Sequence, residues 1–285
     1  MTAMPSPSST RKKRTALVLS GGGARGAYQV GVLRGLAELG VLAPGRSGLD
    51  VFVGSSAGAI NSGMMAAHAD DLPAGVSALE EIWGGLQAKQ VFRTDVRSLG
   101  GIGVKWAWDL TFGGAIGGVT PKSLLDTEPL RELLRERVPW DRLDAAIASG
   151  ALYALAIAAT DLYTADGTIF LQAGADVPNW SRRRWRIERT AVRAEHLLAS
   201  SAIPIFFPSV EIGGRHFGDG SVRNTTPLSP AINLGAERII AVSVREPGKP
   251  ETTPEKRDAP TIAQIAGVLL DAVMLDAIEV DVEHS

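Results

Sequence analysis

Residues 51–58 read Val-Phe-Val-Gly-Ser-Ser-Ala-Gly, an apolar strand pattern that runs into small residues and then into helix-compatible sequence. The stretch reads as a nucleophile elbow. A serine that attacks a carbonyl must stand on a sharp strand-to-helix turn, and Gly54 and Gly58, two residues to either side of Ser56, leave room for the backbone crowded there. Ser56 is the candidate nucleophile. In a chain with 32 glycines among 285 residues a lone GxSxG is a weak signal, so the surrounding segments must carry the assignment.

Upstream, Ala16-Leu17-Val18-Leu19-Ser20 has the pattern of a short buried strand and leads directly into Gly21-Gly22-Gly23-Ala24-Arg25-Gly26. From Ala27 to Leu39, Tyr28, Val32, Leu36 and Leu39 recur at helical spacing, with Gly40 as a stop. A glycine loop between a strand and a helix can aim several unpaired backbone N–H groups at one point. That suits a phosphate or the oxyanion of a tetrahedral intermediate. Gly21, Gly23 and Gly26 satisfy G-x-G-x-x-G, but a dinucleotide fold needs an acidic residue at the end of the next strand to hold a ribose. Here that strand, Val51 to Val53, ends in Gly54-Ser55-Ser56. A Walker A loop is excluded because no Lys-Ser or Lys-Thr follows the glycines.

A serine nucleophile needs a base, and the four histidines supply no obvious one. His68 falls at the end of the elbow helix and reads as solvated. His196 lies in the helical stretch from Thr190 to Ser200 and reads as a surface or packing residue. His216 lies in a hairpin turned by Gly213-Gly214 and reads as a cross-strand partner, and His284 is next to the last residue. After that hairpin comes Gly218-Asp219-Gly220-Ser221. Asp-Gly is also a common turn dipeptide, as read for Asp166-Gly167 between strands 152–158 and 168–172, and local chemistry does not separate the two cases. Asp161, after the buried strand Ala151 to Ala159, competes as a base but lacks flanking glycines.

Taken together, Gly21 to Gly26, Gly54 to Gly58, the stretch from Ala199 to Pro208, Asp219-Gly220 and Arg223 to Leu228 resemble the patatin-like phospholipase family, in the family's order over roughly residues 15–245. The resemblance implies a three-layer α/β/α domain with a mostly parallel central sheet, and a Ser-Asp dyad without histidine. Ser56 then matches the nucleophile and Asp219 the base. Gly21, Gly22, Gly23, Ala24, Arg25 and Gly26 match the oxyanion hole, with N–H groups of Gly22, Gly23 and either Ala24 or Arg25 as donors; Gly54, Gly58 and Gly220 support the motifs. Ser221 departs from the Gly or Ala usual after Asp-Gly and is small enough to add a hydrogen bond to the carboxylate.

The implied activity is serine lipid acyl hydrolysis through an acyl-enzyme, with a lipid ester as substrate and no cofactor or metal. Transfer of the acyl group to an alcohol, and a non-catalytic lipid-binding or regulatory protein of the same fold, are the alternatives. An α/β-hydrolase triad of Ser56, an intermediate aspartate and His284 has the right residue order, but its elbow normally follows several strands and here follows one.

Composition fits an ordinary globular chain, 45% hydrophobic and 21% charged, with no cysteine for disulfides or thiolate metal sites. A net charge of −2 gives no general drive toward nucleic acid. Residues 1–14, ending Arg11-Lys12-Lys13-Arg14, read as a disordered basic tail without a signal peptide. The expected location is cytoplasmic, with peripheral membrane contact as an option. Arg182 to Arg186 reads as an exposed charged face with one half-buried Trp185. Residues 98–120, with Trp106 and Trp108, read as buried loop or strand, or as an interfacial lid. Asp126-Thr127-Glu128-Pro129 with Leu130, Leu133 and Leu134 reads as a capped structural helix, and Arg238 to Val244 as a central strand. After a linker at 246–260, residues 261–285 form an amphipathic helix that packs on the catalytic domain (15–245), or else serves a homo-oligomer or membrane face.

Overall fold

The computed structural model describes residues 13–43, 48–93, 123, 125–177, 180–223 and 227–244. The tail up to residue 12, segment 98–120, the linker, the C-terminal helix and His284 lie outside the described residues. Strands β1 (Arg14–Leu19), β2 (Leu49–Ser55) and β3 (Ala154–Asp161) form the centre of a mostly parallel sheet, flanked by helices in an α/β/α arrangement. Arg14, assigned above to the tail, opens β1, and its guanidinium stacks 3.6 Å from the Tyr153 ring centroid. On one side β1 pairs in parallel with β8 (Ala236–Val242). On the other, β3 pairs antiparallel with β4 (Gly167–Ala173), which pairs in parallel with β5 (Trp185–Arg189). Among the described residues β8 ends the strand order and is half-exposed, so the strand read as central is an edge strand.

The apolar residues of β1 and β2 run continuously because both sheet faces are covered. Alternation sorts them by size. Leu17, Leu19, Phe52, Leu155 and Ile157 face one core, while Ala16, Val18, Val53, Ala154 and Ala156 face the other. The first core is covered by α1 (Gly26–Glu38), α2 (Ala57–Ala67) and α3 (Leu72–Gly85). The short α4 (Ala88–Val91) follows α3, and α5 (Glu128–Arg137), α6 (Trp140–Ser149) and α7 (Ala194–Ser200) complete this layer. The hairpin of β6 (Val210–Ile212) and β7 (Arg215–Asp219) follows α7. On the opposite face, Ala231 and Leu228 of α8 (Leu228–Asn233) pack against the smaller residues.

The strand register sets up the site. β2 runs along β3 as far as Ser55 opposite Ala158, and β7 then takes over the same edge in the opposite direction, with Asp219 opposite Ala159. The end of β2 and the end of β7 therefore meet head to head.

Candidate active site

Ser56 stands where β2 gives way to α2, with φ 53° and ψ −126°. A left-handed φ is uncommon for a residue with a Cβ and marks stored strain. The surroundings hold it. The Ser56 N–H donates to Ser200 Oγ (3.0 Å), and the Ser200 hydroxyl donates to the Ala158 carbonyl. Ser201 Oγ donates to the Ser56 carbonyl at 3.1 Å. Both backbone groups of the strained residue are thus bonded by consecutive serines at the end of α7. The turn also needs the flanking glycines, since a Cβ on Gly54 would lie 2.3 Å from the Gly58 oxygen and one on Gly58 would lie 2.2 Å from the Leu19 oxygen.

Asp219 is fully buried, and the Ser56 hydroxyl donates to its Oδ2 at 2.7 Å. Its other oxygen, Oδ1, accepts the Ser221 N–H at 2.8 Å. The residue is anchored through its backbone as well, its N–H donating to Ala202 O and its carbonyl accepting from Thr160 Oγ1, both at 2.8 Å. Gly220 continues the chain where a Cβ would meet the Ala158 oxygen at 2.2 Å. Burial pushes the Asp219 carboxyl up to about 6, against the opposing pull of the bonds from Ser56 and Ser221. Ser221, flagged as a departure, turns its hydroxyl toward Ser55 Oγ at 3.1 Å, and a Cβ on Gly21 would collide with it.

The competing bases are elsewhere. Burial alone would raise the Asp161 carboxyl, but Arg215 (2.7 and 2.9 Å) and the N–H groups of Tyr163 and Thr164 hold it below the usual range, so it works as a structural anion. Asp166 lies in the β3–β4 turn, as read. His68 is buried, with Nδ1 3.0 Å from the Met64 oxygen, because α3 packs back over the end of α2 and sets Gly75 against it. This corrects the solvated reading. His196 packs edge-on to Phe170 at 4.7 Å, and burial holds its pKa down. His216 faces Glu211 across the hairpin and lies 3.0 Å from Ser209 Oγ. Arg182 to Arg184 and Arg186 are exposed beside a half-buried Trp185, as read.

Gly21 lies against Ser56, a Cβ there falling 3.2 Å from Ser56 Cβ. Gly23 begins a 3-10 turn at φ 54°. Within the loop the Arg25 N–H donates to the Gly22 carbonyl at 3.0 Å, and the Gly26 N–H donates to the carbonyls of Gly23 and Ala24. The Arg25 N–H is therefore already bonded within the loop. Gly23 and Ala24 line the same cavity as Ser56.

That cavity, of about 490 Å³, is almost wholly apolar. Its walls include Ile60 of α2, Trp83 of α3, Val91 of α4, and Leu130, Leu133 and Leu134 of α5. The α5 leucines, read as purely structural, share one helix face that lines this space. Ser200 and Ser201 fall in the stretch from Ala199 to Pro208 that carries the resemblance, but neither their bonds to the Ser56 backbone nor the cavity wall is legible there. The spacing of Leu130, Leu133 and Leu134 signals a buried face but says nothing of what it faces.

Among solved structures, VipD from Legionella pneumophila is similar at 16% identity and TM-score 0.46, over 81% of this chain and 49% of that one. ExoU from Pseudomonas aeruginosa, solved in complex with SpcU, is similar at 18% identity and TM-score 0.37, over 69% and 39%. The chain thus spans about half or less of the length of these two proteins. Among curated proteins, no sequence is significantly similar to this chain. The family model for patatin-like phospholipase matches residues 17–232, a span that contains the elbow, the glycine loop and the Asp219 turn, and the chain belongs to that family.

Proposed function

We propose that the protein hydrolyses carboxylic esters of lipids through Ser56 and Asp219. The observation that carries this reading is the 2.7 Å hydrogen bond from Ser56 Oγ to a buried carboxylate, with Ser56 also lining an apolar cavity large enough for an acyl chain. Asp219 accepts the Ser56 proton as Oγ bonds to the ester carbonyl carbon, and the carbonyl oxygen takes up the negative charge. In this reading the N–H groups of Gly22, Gly23 and Ala24 stabilise that oxyanion. Collapse breaks the carbon–oxygen bond, the departing alkoxide takes the proton from Asp219, and the acyl group stays on Ser56. Water then repeats the sequence, its proton passing to Asp219 and then to the leaving Ser56 oxygen, and free fatty acid departs.

A fluorophosphonate should label Ser56 in the folded wild type and not in Ser56→Ala, and the wild type should release fatty acid from a mixed lipid extract. Folded protein that takes no label at Ser56 sinks the reading. Release of acylated alcohol in place of fatty acid converts it to a transferase.

The raised carboxyl sets the pH dependence. Only ionised Asp219 can accept the proton, so kcat/KM for a soluble ester should climb about tenfold per pH unit below about 6 and level off above it. A limb centred near the ordinary aspartate value of 3.8 would contradict the burial argument.

A further inference from the structure

Behind the glycine loop runs a chain of polar side chains that the proposed reaction does not use. Trp83 Nε1 donates to Asn61 Oδ1 at 2.8 Å. Asn61 Nδ2 donates to Gln29 Oε1 (2.9 Å) and to the Gly26 carbonyl (3.1 Å), and Gln29 Nε2 donates to the Ser20 carbonyl (2.7 Å). Asn61, Gln29 and Ser20 are fully buried. An indole N–H can only donate, so it selects the oxygen of Asn61, turns the Asn61 amide nitrogen toward Gln29, and so turns the Gln29 nitrogen toward Ser20. The polarity of the whole chain is set at Trp83.

The two carbonyls at its far side bracket the glycine loop. Ser20 immediately precedes Gly21, and Gly26 is the loop's last residue. Asn61 stands on α2, the helix that begins beside Ser56, so the same bonds tie the loop to the nucleophile's own helix. At the near side the Trp83 indole lines the cavity and lies over Gly26, where a Cβ would be 2.7 Å from Cζ2. Any Cβ there would also lie 2.8 Å from that of Ala57, the neighbour of Ser56.

Resting on the hydrolase reading above, we infer that Trp83 is a positioning residue that couples a long acyl chain in the cavity to the oxyanion loop. A chain long enough to pack on the indole holds the ring in place, and the directional bonds through Asn61 and Gln29 keep the loop N–H groups aimed at Ser56. A short acyl group stops before the indole and leaves the ring held by its bond to Asn61 alone. Acyl length is therefore read in kcat as well as in KM, because binding energy remote from the ester is used to organise the transition-state contacts.

The test compares p-nitrophenyl butyrate with p-nitrophenyl palmitate in detergent, for the wild type and Trp83→Phe. The wild type should show a kcat about tenfold higher for the palmitoyl ester. Phe at this position keeps an apolar ring on the cavity wall but removes the donor, so the KM preference for the long chain should persist while the kcat ratio falls to near one. Gln29→Met, which preserves volume and cuts the bond to Ser20, should collapse the same ratio and serves if the first variant is unstable. A wild type whose kcat is independent of chain length, or variants that alter KM alone and keep the kcat ratio, overturn the coupling while leaving the hydrolase reading intact. Absence of Ser56 labelling and of hydrolysis in the folded wild type overturns both.

Discussion

Asp219→Asn is expected to lower kcat by on the order of 10⁴-fold and at the same time to raise the melting temperature at neutral pH. The activity loss follows from hydrogen-bond direction. The carboxylate accepts at both oxygens, from the Ser221 N–H at Oδ1 and from the Ser56 hydroxyl at Oδ2. An asparagine that keeps its oxygen on the Ser221 N–H presents NH₂ to Ser56, so the serine oxygen becomes an acceptor and no group takes its proton. The stability gain follows from linkage. The carboxyl is raised from 3.8 to about 6 in the folded chain, so its contribution to stability is fully present below 3.8 and is lost as pH rises through about 6. At pH 8 the buried charge costs at most about 3 kcal/mol on that shift, and a neutral amide removes most of the cost. Thermal unfolding across pH 4–8, read beside ester hydrolysis, checks both halves. Retained turnover would remove Asp219 as the base, and a lower melting temperature at pH 8 would show that its charge is not the strained element.

A second large effect is expected from Gly58→Ala, which should destabilise the fold by about 2–4 kcal/mol and cut the rate of Ser56 labelling by on the order of 100-fold. The new methyl would sit 2.2 Å from the Leu19 oxygen and 2.5 Å from the Ser20 oxygen. Both are backbone atoms at the end of β1, so no side chain can swing aside. The start of α2 must lift from the sheet and carry Ser56 away from Asp219 and from the glycine loop. Gly31→Ala is the control, because a Cβ there meets nothing within 4 Å on an exposed position of α1. It should stabilise by about 0.5–1 kcal/mol through helix propensity. A Gly58→Ala protein that melts and labels like the wild type would refute the close-approach argument.

Much of the candidate site was legible in the residues. The elbow at Ser56 and the glycine loop are local devices, defined by strand-to-helix turns only a few residues long, and they stand where the pattern placed them. Asp219 was legible only through family resemblance. Its Asp-Gly dipeptide is shared with Asp166-Gly167, which forms the β3–β4 turn and whose carboxylate pairs with Arg184. What separates them is that β7 follows β2 along one edge of β3, so that Ser55 and Asp219, more than 150 residues apart in the chain, sit opposite adjacent residues of a third strand, an arrangement no local pattern encodes.

The apolar cavity and the supports of the elbow were not legible for the same reason. Leu130, Leu133 and Leu134 announce a buried face, Ser200 and Ser201 look like ordinary small residues at a helix end, and Trp83, Asn61 and Gln29 are scattered over three helices. Side-chain periodicity reports that a face is covered and stays silent on what covers it. By itself, then, the sequence determined the local devices: where the chain turns sharply from strand to helix at a serine, and where a glycine loop joins the first strand to its helix. Only the tertiary structure decided which carboxylate that serine meets, how far burial raises it, and what space lies beside them, because these depend on contacts between distant segments and on the exclusion of water from their meeting point.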